Sequence, residues 1–310
     1  MKKLNIDFAK LGPLIGLVFI IILLSFLNDN FFTVNNILNL LRQISINALI
    51  AFGMTFVILT AGIDLSVGSL LALGSALTAG MMASGMDPML AIFLGLLIGL
   101  LLGAFNGIII TKGKVAPFIA TLATMTIFRG ATLVYTDGRP ITGLSDSPIF
   151  VMMGKGYLFW IPIPVIFMII AFVILYFVLN NTVFGRRVYA VGGNEQAATL
   201  SGIKTDSVKI WVYALTGMLS VLAGIILTSR LNSAQPTAGT MYELDAIAAV
   251  VIGGTSLMGG RGRITGTLIG ALIIGVISNG LNLLNVSSFY QQIVKGAVIL
   301  FAVMLDRRSN

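Results

Sequence analysis

Any chemistry in this chain has to be done without histidine or cysteine, because neither occurs. That removes imidazole bases, thiolate nucleophiles, disulfides and the common zinc sites together. No phosphate loop is present either: Gly113-Lys114-Val115 and Gly154-Lys155-Gly156 both fail the pattern Gly-x4-Gly-Lys-Ser/Thr. If ATP drives this protein, a separate subunit hydrolyses it. Two ionisable groups stand out in apolar surroundings. Asp64 lies in Ala61-Gly62-Ile63-Asp64-Leu65-Ser66-Val67-Gly68, and a carboxylate inside a membrane is costly and functional by default. Its other reading is helix capping, because an Asp ahead of a helix start accepts N–H bonds and suits the positive dipole end. Val67 rather than Glu stands three residues on, so no capping box forms. Lys295 falls about 9 Å into an apolar run starting at Phe289, at 1.5 Å per residue, and is expected to snorkel rather than face the protein. With so few carboxylates at depth, an ion-coupled transporter has little to titrate, and an intramembrane enzyme has no nucleophile–base pair.

The elements that carry these groups follow from composition. Hydrophobic residues make up 57% and charged residues 10% of 310 residues, with a mean hydropathy of +1.01. Soluble domains carry about 25% charged residues. The chain is expected to be an all-α polytopic membrane protein, a single transmembrane domain over residues 1–310. Apolar runs of spanning length read at 11–27, 44–60, 65–85, 89–111, 115–135, 161–179, 210–228, 246–258, 264–284 and 289–305. That makes about ten transmembrane helices with both termini cytoplasmic. Lys2, Lys3 and Lys10 precede the first run, but no small-x-small cleavage site follows, so it reads as a retained span. The net charge of +8 offers no basic face for nucleic acid, since the cations sit in short loops. Of the 19 Lys and Arg, the cytoplasmic side receives Lys2, Lys3, Lys10, Lys112, Lys114, Arg186, Arg187, Lys204, Lys209, Arg261, Arg263, Arg307 and Arg308. This majority fixes the orientation by the positive-inside rule and meets anionic membrane lipid.

Two kinds of glycine pattern interrupt the apolar sequence. Gly95, Gly99, Gly103 and Gly107 recur at every fourth residue and form one smooth stripe for a neighbouring helix, and Gly266 and Gly270 repeat the device. Glycine-rich breaks occur at residues 61–68 and again from Gly253-Gly254-Thr255 to Gly259-Gly260-Arg261-Gly262-Arg263. Irregular backbone at membrane depth is tolerated only where it is buried in protein or lines a cavity. Taking the sixth span as a spacer, spans 2–5 and 7–10 form two inverted four-helix repeats.

Residues 180–209 form a polar loop between two spans, placed in the cytoplasm by Arg186, Arg187, Lys204 and Lys209. Within it, Gly193-Asn194-Glu195, then Ala197-Ala198 and Gly202, read as a short helix, a turn and a return, presenting small side chains outward. Gly202 is expected to end the helix in a left-handed conformation. An ordinary solvated loop is the alternative reading. The pattern resembles the cytoplasmic coupling loop of ABC-importer permeases, with one inserted residue, Gln196, as in the sugar-importing branch. The resemblance extends over roughly residues 11–308. Gly62-Ile63-Asp64-Leu65-Ser66-Val67-Gly68, Ala116-Pro117-Phe118-Ile119-Ala120-Thr121-Leu122 and Gly253-Gly254-Thr255-Ser256 all look like the permease subunits of high-affinity sugar ABC importers.

That resemblance implies a non-enzymatic permease of the cytoplasmic membrane, without cofactor or metal. It implies a homodimer, a cytoplasmic ABC ATPase and an extracellular sugar-binding protein, with a monosaccharide, ribose before xylose, galactose or autoinducer-2, as cargo. Arg186, Arg187, Gly193, Asn194, Glu195, Ala197, Ala198 and Gly202 would then couple to the ATPase. A sugar path needs hydroxyl and amide partners, and Asn47, Thr121, Thr124, Asn279 and Asn282 supply them, with Asp64 as a further contact. Thr121/Thr124 and Asn279/Asn282 each share a helix face. Interhelical hydrogen bonding is the other use of such residues. On the outer side Arg129, Arg139, Lys155 and Arg230 would form a rim for the binding protein, or else meet lipid headgroups. Single cysteines test the orientation. An impermeant maleimide on intact cells should label Ser145→Cys and spare Ser201→Cys; the reverse result overturns the topology.

Overall fold

The computed structural model describes residues 8–144 and 147–308, so Lys2, Lys3 and Ser145 lie outside the described residues. The chain opens with α1 (Phe8–Leu27), α2 (Val34–Leu59), α3 (Val67–Ala83), α4 (Pro88–Thr111), α5 (Pro117–Thr136) and the short α6 (Pro148–Lys155). A two-residue hairpin, β1 (Tyr157–Leu158) and β2 (Ile161–Pro162), leads into α7 (Ile163–Asn181). Then come α8 (Val183–Gly193), α9 (Glu195–Leu200), α10 (Thr205–Leu231), α11 (Tyr242–Ile252), α12 (Ile264–Leu283) and α13 (Ser288–Arg308). Six of these, α2, α4, α5, α7, α10 and α12, are long and apolar enough to cross a membrane, and Gly12–Leu27 and Val67–Ala83 are shorter apolar helices. The protein is an all-α, multi-pass membrane protein.

α2 is the core. Thr33 caps it by accepting the Asn36 N–H, and from Ala48 to Leu59 every side chain is buried. A helix that is apolar on all sides has no face to give to water and belongs among other helices. It packs against α10, α12, α11 and α7. The expected run began at residue 44, whereas the helix begins ten residues earlier, at Val34. The polar stretch Asn35–Arg42 hid that extension, because part of it is buried against neighbours that a hydropathy run does not show.

The glycine stripe of α4 does what its spacing implied. Gly99, Gly103 and Gly107 are buried, and a Cβ on each would strike α10: Val221 and the Gly217 carbonyl, the Tyr213 carbonyl, and the Ile210 backbone respectively. Gly217 answers from α10, where a Cβ would overlap the Gly99 carbonyl. Between these helices, backbone meets backbone.

Among the described residues, a third irregular stretch, 232–241, joins the glycine-rich breaks at 60–66 and 253–263. Residues 232–241 were expected to be outer loop. Instead they meet the start of α3, where Cβ atoms on Gly68 and Gly239 would each overlap the other's carbonyl. Arg129 holds the pair, its guanidinium donating to the carbonyls of Pro236 (2.7 Å), Ala238 (2.9 Å) and Gly68 (3.4 Å). Arg129 lies seven residues before the end of α5 at Thr136, about 10 Å along the axis. The segment therefore dips from the end of α10 and returns through α11.

This corrects two expectations. The eighth span was expected at residues 246–258, yet α11 is only 11 residues, Tyr242–Ile252, with Glu243 and Asp245 in its first turn. Acidic residues read as loop in sequence, but the re-entrant segment carries them inward. Lys295 does not snorkel: its ammonium pairs with Asp245 at 2.7 Å, and Asp245 is buried. A buried carboxylate left alone would cost several kcal/mol, which favours the pair over lipid-headgroup contact. The α4–α10 contact gives a stability test. Gly103→Val should destabilise the purified protein by about 1–3 kcal/mol or more, seen as a lower Tm, while Gly16→Ala, with nothing within 4 Å of its Cβ, should leave Tm unchanged.

Candidate functional site

The polar loop between α7 and α10 is a helical hairpin capped at each turn. The Thr182 hydroxyl accepts the Gly185 N–H at 3.2 Å to start α8, and the Asn194 side chain accepts the Ala197 N–H at 2.9 Å to start α9. Gly202 ends it with φ +82, as expected, and its N–H reaches the Thr199 carbonyl while Ile203 N–H reaches that of Ala198. No L-residue adopts that φ without strain. Glu195 is bound to Lys209 of α10 at 2.6 Å, and Lys112 to Asp206 at 2.8 Å, so ion pairs tie the hairpin and the adjoining turn to the bundle.

Which side chains point outward differs from expectation in one place. Ala198 is buried against its own chain, with Gly185, Val188 and Val191 of α8 also turned inward. The exposed tip consists of Gly193, Asn194, Glu195, Gln196, Ala197 and the segment 199–202, flanked by Arg186 and Arg187. Leu200 is 90% exposed. A six-residue helix has one inward position per turn, and Ala198 takes it; Ala-Ala spacing alone does not tell which alanine turns in.

The hairpin also meets the glycine-rich breaks at residues 60–66 and 253–263. Leu59 ends α2, and its carbonyl accepts the Gly260 N–H at 3.0 Å. A Cβ on Gly192 would overlap that same carbonyl, and one on Gly260 would meet Gly193 at 2.8 Å. Three backbones thus converge at a point where only glycines fit. The Tyr189 hydroxyl donates to the Gly262 carbonyl at 2.9 Å, and burial pushes its pKa above the ordinary tyrosine value despite an opposing pull from Arg263. It stays protonated and donating at neutral pH. The tandem glycines 192–193 are the sequence signal for this junction, which the loop motif around them obscured.

The expected path residues divide into two groups. Asp64 and Thr121 come together at the first break. Asp64 Oδ1 accepts from the Ser66 N–H (2.9 Å) and hydroxyl (2.6 Å), so it shapes the turn before α3 and does not cap the helix itself, whose N-cap Ser66 makes no side-chain capping bond. Asn106 donates to that Ser66 hydroxyl at 2.8 Å. Thr121 and Tyr213 both reach the Ile63 carbonyl, at 3.2 and 3.3 Å, and Thr124 returns to the Thr121 carbonyl. Asp64, Ser66, Asn106, Thr121, Thr124 and Tyr213 are all buried. Asn106 and Tyr213 belong to this cluster but sit singly in apolar helices, without a motif to mark them. Asn279 lies elsewhere, in a reciprocal amide pair with Asn36 (2.8 and 3.0 Å), while Asn282 is exposed and accepts from Gln291 at 2.8 Å. Asn47 is half-buried on α2. Of the residues expected to form the rim, Arg139 and Lys155 are exposed. Arg129 and Arg230 are half-buried; Arg129 is spent on backbone carbonyls of its own chain, which removes it from the expected rim.

The family model for the branched-chain amino acid transport system / permease component matches residues 36–303. The chain belongs to this family of membrane transport permeases. It is 66% identical to the ribose import permease protein of Bacillus subtilis over all of this chain and 97% of that protein. Identity is 59% with the ribose import permease protein of Haemophilus influenzae, over 94% of this chain and 91% of the relative. With that of Escherichia coli it is 54%, over 96% and 93%. No solved structure matches this chain. These relatives are transport components and not enzymes, in agreement with the missing nucleophiles and bases.

The junction can be separated from the ion pair by stability. Gly192→Val must displace the α2 carbonyl and should cost about 1–3 kcal/mol or more. Lys209→Ala removes a part-exposed ion pair and should cost less than about 1 kcal/mol. Equal Tm losses would show that the three backbones are not close-packed.

Proposed function

We propose that this chain is the permease subunit of an ATP-binding-cassette importer that moves ribose across the cytoplasmic membrane by alternating access. The observation that carries the reading is the 66% identity to a ribose import permease protein along the whole chain. A separate ATPase supplies the energy, and an extracellular binding protein supplies the sugar. The hairpin α8–α9 is the ATPase-coupling site, with Arg186, Arg187, Gly193, Asn194, Glu195, Ala197 and Gly202 at the contact; Ala198 supports it from within. Leu200 joins them as its apolar anchor, because an isolated leucine so exposed on a cytoplasmic tip gains most from a partner's groove.

Two copies make the pathway, each with ten membrane segments: α6 and the hairpin α8–α9 lie at the membrane surfaces, and the 11-residue α11 completes its crossing only together with the irregular stretches on either side of it. Inverted repeats α2–α5 and α10–α13 are supported by one feature in particular. α2 and α10 are each followed by an irregular stretch leading into α3 and α11, and the first turn of α3 meets the segment entering α11 at Gly68 and Gly239. Arg139, Lys155 and Arg230 remain the outer cations for the binding protein, where they tune association rate more than affinity.

The experiment is uptake of labelled ribose in cells lacking their own system, with this chain, its ATPase and its binding protein co-expressed. Ribose should accumulate, and excess xylose or galactose should compete poorly; no ribose uptake with all subunits present overturns the reading. Leu200→Asp should insert normally but lose uptake and release the ATPase. Burying a leucine is worth about 1.5–3 kcal/mol, so retention should fall about 10- to 100-fold. Wild-type retention in that variant would remove Leu200 from the contact.

A further inference from the structure

A cavity of about 220 Å³ lies between the re-entrant segment and α13. One wall is Thr240, Met241 and Leu244, with Asp245 behind them; the other is Ser288, Gln291, Gln292 and Lys295 on α13. It is smaller than the 300–1,000 Å³ clefts that hold drug-sized ligands, so its occupant is a small molecule. Met241 and Leu244 give one apolar patch. Around it stand two hydroxyls, two amides and a carboxylate–ammonium pair. This mixture suits a compact polyol with an apolar C–H face and several hydroxyls.

The polar groups are set up in advance. Lys295 and Asp245 are already paired at 2.7 Å, and Gln291 is fixed by donating to the Asn282 side chain and the Val286 carbonyl, both at 2.8 Å. Asn282, expected to line a path, therefore borders this cavity through Gln291. A carboxylate already neutralised by its ammonium can still accept from a hydroxyl, and the ammonium has further N–H donors. No group is left to gain a full charge partner from the ligand, so binding is shallow, as a transit site requires. The cavity's walls belong to different elements, a broken helix entry and a separate span. Discontinuous helices at such places are where membrane carriers form sites that open and close with helix movement.

We infer that this cavity is a transit site for the transported monosaccharide, in which Gln292 and the Asp245–Lys295 pair bind sugar hydroxyls and Met241 and Leu244 pack on the ring. The inference rests on the proposed import of ribose and adds the place where the sugar pauses.

Gln292 and Ser288 are exposed on α13, so they can be changed without disturbing the core. In this Cys-free chain, Gln292→Cys in membranes should react with maleimide about threefold or more slowly when ribose is present in excess, a change of the size a weak site gives. Arg139→Cys, away from the cavity, should react at one rate throughout. Gln292→Trp, which fills the space, should lower maximal ribose uptake about tenfold or more while the ATPase stays bound. Wild-type uptake is measured alongside. A wild type that imports ribose, with no protection at Gln292→Cys and unimpaired uptake in Gln292→Trp, overturns the transit site alone. A wild type that imports none overturns the function beneath it, and the cavity's ligand with it.

Discussion

Lipid offers no hydrogen bond to an exposed carbonyl, and the breaks in this bundle exist only because side chains replace what water would supply. Arg129 is the largest of these replacements, donating to three backbone carbonyls on two segments that meet end to end. Thr121 and Tyr213 serve the Ile63 carbonyl in the other break, and Asp64 receives the Ser66 N–H. Arg129 and Thr121 both sit on α5, and Tyr213 sits on α10. The breaks therefore fix how α5 and α10 pack around α3 as much as those helices fix the breaks.

Glycine meets the same constraint from the opposite side. Where two backbones approach closely, side chains have to be absent, and α4 against α10 achieves this from Gly99 to Gly107. At the hairpin end of the bundle the same device recurs. The last turn of α8, the end of α2 and the break after α11 share one point. A push on the hairpin by an ATPase would reach both the core helix and a broken segment without crossing any flexible side chain. Interfaces packed this tightly shift between arrangements and do not deform smoothly.

Much of this was legible in the residues. The absence of His and Cys excluded whole reaction classes, and composition placed the chain in a membrane. The four-residue glycine period announced a helix contact, and Gly202 announced the end of α9. These signals are local: each depends on a short window of chain and on propensities that tertiary packing has no reason to override here. The family resemblance read from the loop and the Gly-Ile-Asp-Leu-Ser segment was likewise carried by contiguous residues, and the matched family spans almost the whole chain.

What only the tertiary structure decided were the partners of polar groups. Glu243 and Asp245 look like loop residues until residues 232–241 turn inward, and Lys295 looks like a snorkelling cation until Asp245 stands 2.7 Å from it. Arg129 reads as an outer rim charge until the Pro236 and Ala238 carbonyls reach it from over 100 residues away. Ala198 reads as outward until its helix is seen to have a single inner position. Sequence determined which segments are helical and apolar, because that is written in periods of a few residues. It left open which face turns inward and which charge meets which, because those depend on contacts between residues distant in the chain.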